Sequence, residues 1–151
     1  MAVRRVVDIK AGGEWDAAHA VDRVVLDAGD RQRRRIVLRG EKGTAFLLEF
    51  AKPVTLRDGD GLVLEDGAIV QVAGAREPLV EVCARSALDM VRLAWHLGNR
   101  HTDVQIVGDH IRIRRDHVLE AMLRGLDAHL TVLQAPFDPE PSAPQGHHHG
   151  A

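Results

Sequence analysis

The histidines are the residues of this chain best suited, by their type and number, to bind a metal ion. There are nine of them in 151 residues, and all but His19 lie at or after residue 96. Neutral imidazole is the usual protein ligand for nickel, copper and zinc. We therefore expect the second half of the chain to bind a transition metal.

Three of the histidines, His147, His148 and His149, are consecutive and follow a stretch rich in proline. Three adjacent imidazoles on a mobile backbone can wrap around a divalent cation with little strain. A cloning remnant is the alternative, but three histidines followed by Gly150 and Ala151 make a poor affinity tag. The segment is therefore interpreted as metal-binding.

Three further histidines lie within predicted structure. His96 falls on a predicted helix, opposite its apolar stripe. His101 comes directly after the turn that ends this helix, and His117 lies in the first turn of a second helix, where it could equally be a surface group. An exposed histidine is more often solvated than a ligand, and that interpretation is kept for the others: His19, His110 and His129.

Composition excludes several classes of function. One cysteine rules out an internal disulfide and a thiolate zinc cage, and Cys83, among apolar neighbours, is predicted to be a small buried residue. Twenty basic against 22 acidic residues give no field for nucleic acid or membrane. The basic run Arg31 to Arg35 is interpreted as a solvated turn, with a phosphate or partner site as the alternative.

Known catalytic and targeting motifs are also missing from the sequence. There is no Cys-x-x-Cys, His-Glu-x-x-His, phosphate-binding glycine loop or Ser-His-Asp set, so we expect no enzymatic activity. The first ten residues are too short and too charged for a signal peptide, and no apolar run approaches a membrane span. A cytoplasmic protein is expected.

The first half of the chain shows the pattern of a small β domain, predicted to span residues 1–74. Short β-branched segments alternate with Gly- and Asp-containing turns. The expected strands are Val24 to Leu26, Arg35 to Leu38, Ala45 to Phe50, Leu62 to Leu64, and Ala68 to Val72. Residues 73–78 are predicted to be a linker.

The second half, residues 75–136, predicts the order β-α-β-β-α-β, which is the ferredoxin-like arrangement. Ser86 and Asp116 are predicted to cap the two helices, and Gly98 to end the first in a left-handed turn. The first apolar stripe is predicted at Ala87, Met90, Val91, Ala94 and Leu97; the second at Leu119, Met122, Leu123 and Leu126. The fold class is therefore α+β, with residues 137–151 as a flexible tail.

The string WHLGNRH at residues 95–101 resembles the signature of the UreE urease accessory proteins. Further strings resemble that family in the same order: LRDGD at 56–60, EDG at 65–67, DHVLEAMLRGL at 116–126 and PFDPE at 136–140. Together they cover most of the chain, which makes the resemblance specific. GNRH alone would be weak.

The resemblance implies a nickel metallochaperone that delivers Ni(II) to the urease active site. It implies a homodimer in which His101 of each subunit binds one shared metal, with a urease accessory GTPase and the apo-urease complex as partners. His147 to His149 would be auxiliary ligands, and His96 and His117 further candidates. The histidine tail is shorter than in many members, and Arg114 stands where some carry a histidine.

Two alternatives remain open from the sequence. A general zinc or copper buffer is the first, because imidazole sites also take these metals and copper usually binds more tightly. A nucleic-acid module is the second, because ferredoxin-like sheets commonly bind RNA. Such sheets stack bases on strand aromatics, and the predicted strands of the second half carry none.

Overall fold

The computed structural model describes residues 3–141, which form two consecutive sheet-containing halves. The first half consists of strands and one short 3-10 turn. Its elements are β1 Arg4–Lys10, the turn Ala17–His19, β2 Asp22–Leu26, β3 Gln32–Arg39, β4 Ala45–Thr55, β5 Gly61–Leu64 and β6 Ile69–Gly74. The strand order is β2-β6-β5-β1-β4-β3. Alternate residues of these strands fill one core, including the fully buried Phe46, Leu48 and Leu62.

The sequence pattern does not predict strand β1. It lies inside the sheet, parallel to β4 and antiparallel to β5. Its charged residues hid it, because only Val6 is fully buried and Ile9 packs partly on the core. The predicted turns are confirmed at Gly59 and Gly67, whose positive φ angles of 92° and 87° suit a residue without a Cβ.

The second half contains four strands and two helices. Its elements are β7 Arg76–Cys83, α1 Ala87–Asn99, β8 Gln105–Val107, β9 His110–Arg114, α2 His117–Gly125 and β10 His129–Pro136. The order β10-β7-β9-β8, antiparallel throughout, confirms the predicted β-α-β-β-α-β arrangement. The predicted caps are confirmed, because Ser86 accepts from the Asp89 amide and Asp116 from those of Val118 and Leu119.

Both helices pack on one face of this second sheet. Leu93 and Leu97 of α1 and Leu123 of α2 share a core with the inward side chains of β7 and β9, which are Val80, Val82, Ile111 and Ile113. The alternate residues of the same strands therefore project from the face that the helices do not cover. Among residues 3–141, neither helix is long and apolar enough to cross a bilayer.

The predicted linker is wrong. β6 ends at Gly74 and β7 begins at Arg76, so Ala75 alone separates two strands, and its amide donates to the Leu26 carbonyl at 2.7 Å. Glycine, alanine and proline are typical of a loop, which is why the sequence predicts one. Pro78 nevertheless pairs in register with Gln134 of β10, and the pairing of β7 with β9 begins only at the next residue, Leu79.

The predicted start of the tail at residue 137 is also wrong, as is the solvated interpretation of Arg31. Phe137 is fully buried, and Arg31 is 1% exposed. The Arg31 guanidinium donates to the Phe137 carbonyl and pairs with the Asp138 carboxylate, and it also reaches the Leu56 carbonyl at 3.3 Å. These contacts fix residues 137 and 138 against the first half of the chain.

Candidate metal sites

His101 lies in the turn that follows α1 and its side chain is exposed. Its φ angle is 54°, in the left-handed region that non-glycine residues rarely adopt. Two hydrogen bonds impose this conformation: the His101 amide donates to the Gly98 carbonyl at 3.1 Å, and the Thr102 amide to the Leu97 carbonyl at 3.3 Å. This pattern is the Schellman motif, in which glycine is the usual residue at the position of His101.

The prediction that Gly98 ends α1 in the left-handed turn is therefore wrong by three residues. Helix α1 continues through Gly98 to Asn99, and Arg100 is its C-cap. A histidine in place of glycine costs about 1 kcal/mol of backbone strain. Asp127 occupies the same position after α2, with a φ angle of 64°. What distinguishes His101 from Asp127 is that its exposed side chain is an imidazole, which is a ligand for transition metals.

Helix α1 carries a second apolar face that points away from its own core. Leu88, Val91 and Trp95 are 57%, 65% and 64% exposed and are spaced at three and four residues, so they share one side of the helix. The predicted stripe is wrong at Ala87, Val91 and Ala94, which are exposed, and it omits Leu93, which is buried. Trp95 lies near the C-terminal end of α1, six residues before His101 in the sequence.

The other predicted histidines are distributed over different surfaces. His96 is half-buried, packs edge-on against Trp95 with ring centroids 5.1 Å apart, and borders a groove with Asp89 and Asp127. His117 is the first residue of α2 and is exposed. His147, His148 and His149 lie outside the described residues.

One group of metal-binding side chains does come together within residues 3–141, and it contains none of the predicted ligands. One donor atom each of Glu81, Cys83 and His110 lies within 4.8 Å of the other two. Glu81 and Cys83 are alternate residues of β7, and His110 begins the adjacent strand β9. We call Glu81, Cys83 and His110 the outer-face cluster.

Electrostatics link the members of the outer-face cluster. His110 Nδ1 donates to a Glu81 carboxylate oxygen, and this bond, helped by Arg112, holds the pKa of Glu81 below its usual range although burial opposes the shift. Burial, and the negative charges of Glu81 and Asp109, raise the pKa of the Cys83 thiol. The thiol therefore stays protonated unless a cation replaces its proton.

The sequence contained part of this signal. Glu-x-Cys on a strand places both side chains on one face, but the partner strand is known only from the pairing of β7 with β9. The interpretation of Cys83 as a buried apolar residue and of His110 as a solvated one is therefore wrong: the thiol is half-buried and the imidazole is paired with Glu81.

Two family models match the chain, one for each half. The N-terminal domain of the UreE urease accessory protein matches residues 3–75, and the C-terminal domain of the same protein matches residues 77–151. Each match covers one of the two sheets. The resemblance found in short strings thus extends to the whole described chain.

Curated relatives agree with the family models. A urease accessory protein UreE from Bradyrhizobium sp. strain BTAi1 is 52% identical over 139 residues, which is 88% of this chain and 67% of the relative. UreE from Rhodopseudomonas palustris strain BisB18 is 48% identical over 150 residues, which is 96% of this chain and 71% of the relative. UreE from Chelativorans sp. strain BNC1 is 46% identical over 130 residues, which is 86% of this chain and 82% of the relative. With this identity over nearly its full length, the chain belongs to the UreE family of urease accessory proteins.

Proposed function

We propose that the protein binds Ni(II) and delivers it during assembly of the urease active site, without catalysing a reaction itself. The observation that carries the proposal is His101, an exposed imidazole held in a turn where glycine would cost less strain. Imidazole is a good ligand for nickel. We expect the protein to act in the cytoplasm, with a urease accessory GTPase and the apo-urease complex as partners.

The proposed site is shared by two copies of the chain. A two-fold axis places identical residues opposite one another, so a single His101 becomes a pair of ligands. The outward apolar face of α1 supports this arrangement, because Leu88, Val91 and Trp95 would lose contact with water in a dimer.

Two imidazoles leave most of the nickel coordination sphere open. We assign the remaining positions to water and to His147, His148 and His149, with His96 and His117 as accessory ligands of lower rank. An incomplete site of this kind can release its ion, whereas a closed set of four protein ligands holds a metal permanently. Zinc and copper would compete for the same imidazoles.

Nickel delivery can be tested with purified components. Protein loaded with nickel should activate the apo-urease assembly complex in the presence of a chelator that removes free nickel, as measured by urea hydrolysis. The metal-free protein is the control. Equal activation by the nickel-loaded and the metal-free protein in the presence of the chelator would contradict delivery and favour a general metal buffer.

The outward face of α1 gives a separate prediction about the dimer. Val91→Glu or Trp95→Glu would bury a charge between the subunits, and we expect the dimer to dissociate about 30-fold more readily, as for a central interface residue. Analytical ultracentrifugation measures this. Val37→Glu, at a 59% exposed position in the first half, is the matched control and should leave the dimer unchanged. A stable dimer in both α1 variants would place the interface elsewhere.

A further inference from the structure

We propose that the outer-face cluster is a second metal site, which takes a borderline divalent ion of the zinc type through a thiolate, an imidazole and a carboxylate. It lies on the face of the second sheet that the helices leave uncovered. Glu81 pairs in register with Arg112, and Val82 with Ile111, so the next residues of the two strands, Cys83 and His110, are neighbours. The proposal does not depend on nickel delivery or on His101.

Backbone geometry already brings the donors close together. Because β7 and β9 are hydrogen-bonded neighbours, the three side chains start from a rigid ladder and not from loops. Ligand atoms around one zinc ion lie about 3.4–3.7 Å apart, given metal–ligand distances of about 2.0–2.3 Å. The donors of the outer-face cluster are within 4.8 Å of one another, about 1 Å more than the separation around a bound zinc ion.

The charges around the outer-face cluster suit a divalent cation. Glu81 and the adjacent Asp109 are negative, and Asp109 also approaches His110 Nε2 at 3.1 Å. Arg112 is the opposing charge, 3.5 Å from the second Glu81 oxygen. Two carboxylates therefore face one guanidinium beside the outer-face cluster, so the charged side chains there are net negative.

The chemistry of the donors selects the class of metal. A thiolate and an imidazole favour zinc and similar borderline ions, whereas calcium and magnesium require oxygen ligands. Three protein ligands leave a fourth position for water. On the other side of β7, His129 pairs in register with Cys83 and offers a second imidazole near the site.

Cobalt(II) is the probe for this site, because the chain has a single cysteine. Full-length protein titrated with Co(II) should develop a near-ultraviolet thiolate-to-cobalt charge-transfer band that saturates at one ion per chain and is displaced by Zn(II). Histidines elsewhere in the chain cannot produce that band. Cobalt binding without the band would overturn the proposal.

Variants then assign the other ligands. Cys83→Ser should remove the band, and His110→Ala should weaken cobalt binding at this site by at least about tenfold, since the loss of an outer-sphere group alone costs about 10–100-fold. Glu81→Gln should weaken it in the same direction. His19→Ala, which removes an exposed histidine of the first half, is the matched control and should leave the band unchanged.

Protection of the thiol is a second readout that does not need a spectroscopic band. Saturating Zn(II) should slow the reaction of Cys83 with a thiol reagent at least about tenfold in the unmodified protein and much less in His110→Ala. Circular dichroism establishes that each variant is folded. Equal rates with and without zinc in folded, unmodified protein would also overturn the proposal.

Discussion

Replacing His101 with alanine should weaken the tightest nickel site of the dimer about 100-fold or more while leaving the protein folded and dimeric. Two-fold symmetry doubles the effect of the change, because one substitution removes an imidazole from each side of the shared metal. Losing a group that only orients a ligand costs about 10–100-fold, and the loss of two direct ligands should cost at least as much. Isothermal titration with Ni(II), together with ultracentrifugation, measures both expectations.

His101→Gly provides a sharper form of the same experiment. Glycine adopts the left-handed conformation of this turn without strain, so the variant should be at least as stable as the parent in thermal unfolding. It should nevertheless lose the tight nickel site as fully as the alanine variant does. Tight nickel binding that persisted in both variants would move the shared site away from His101.

The second large effect is expected from Arg31→Met. Methionine fills much of the same volume, but it removes the guanidinium that donates to the Asp138 carboxylate and the Phe137 carbonyl. The carboxylate would keep the Asp58 amide, at 3.3 Å, as a donor, but would lose its opposite charge. Removing one partner of a buried ion pair typically costs about 3–5 kcal/mol. We expect the free energy of unfolding, measured by urea denaturation, to fall by about that amount.

Arg33→Met is the matched control for Arg31. Arg33 also pairs with an aspartate, Asp30 at 3.2 Å, but its side chain is 51% exposed. Exposed pairs contribute about 0–1 kcal/mol, so this variant should unfold nearly as the parent does. Similar losses in the two variants would mean that the buried pairing of Arg31 with residues 137 and 138 does not support the fold.

Several features of the fold could be predicted from the sequence because they depend on local interactions. Helix caps at Ser86 and Asp116, the turn glycines Gly59 and Gly67, and the order of strands and helices in the second half were all predictable. Each depends on interactions between residues that are close along the chain, such as a side-chain oxygen accepting a nearby amide. The strings that resemble UreE were equally readable, because they too are continuous stretches of sequence.

Other features were decided by the tertiary structure. Helix α1 has apolar residues on two sides, and its periodicity cannot tell which side faces the sheet, because burial of apolar surface is not directional. The predicted stripe therefore included Val91, which is exposed, and omitted Leu93, which is buried. The outward face, on which the proposed dimer depends, becomes visible only when the helix is placed on its sheet.

Contacts between residues far apart in the sequence could not be predicted at all. Arg31 looked like part of a solvated basic run until Phe137 and Asp138, more than a hundred positions away, closed over it. Cys83 and His110 looked unrelated until β7 and β9 paired. Residue types and their local spacing determined both helices, most of the strands and turns, and the family of this protein. Which side chains meet was decided by strand pairing and by the packing of helices on a sheet, since these join positions whose separation along the chain carries no local signal.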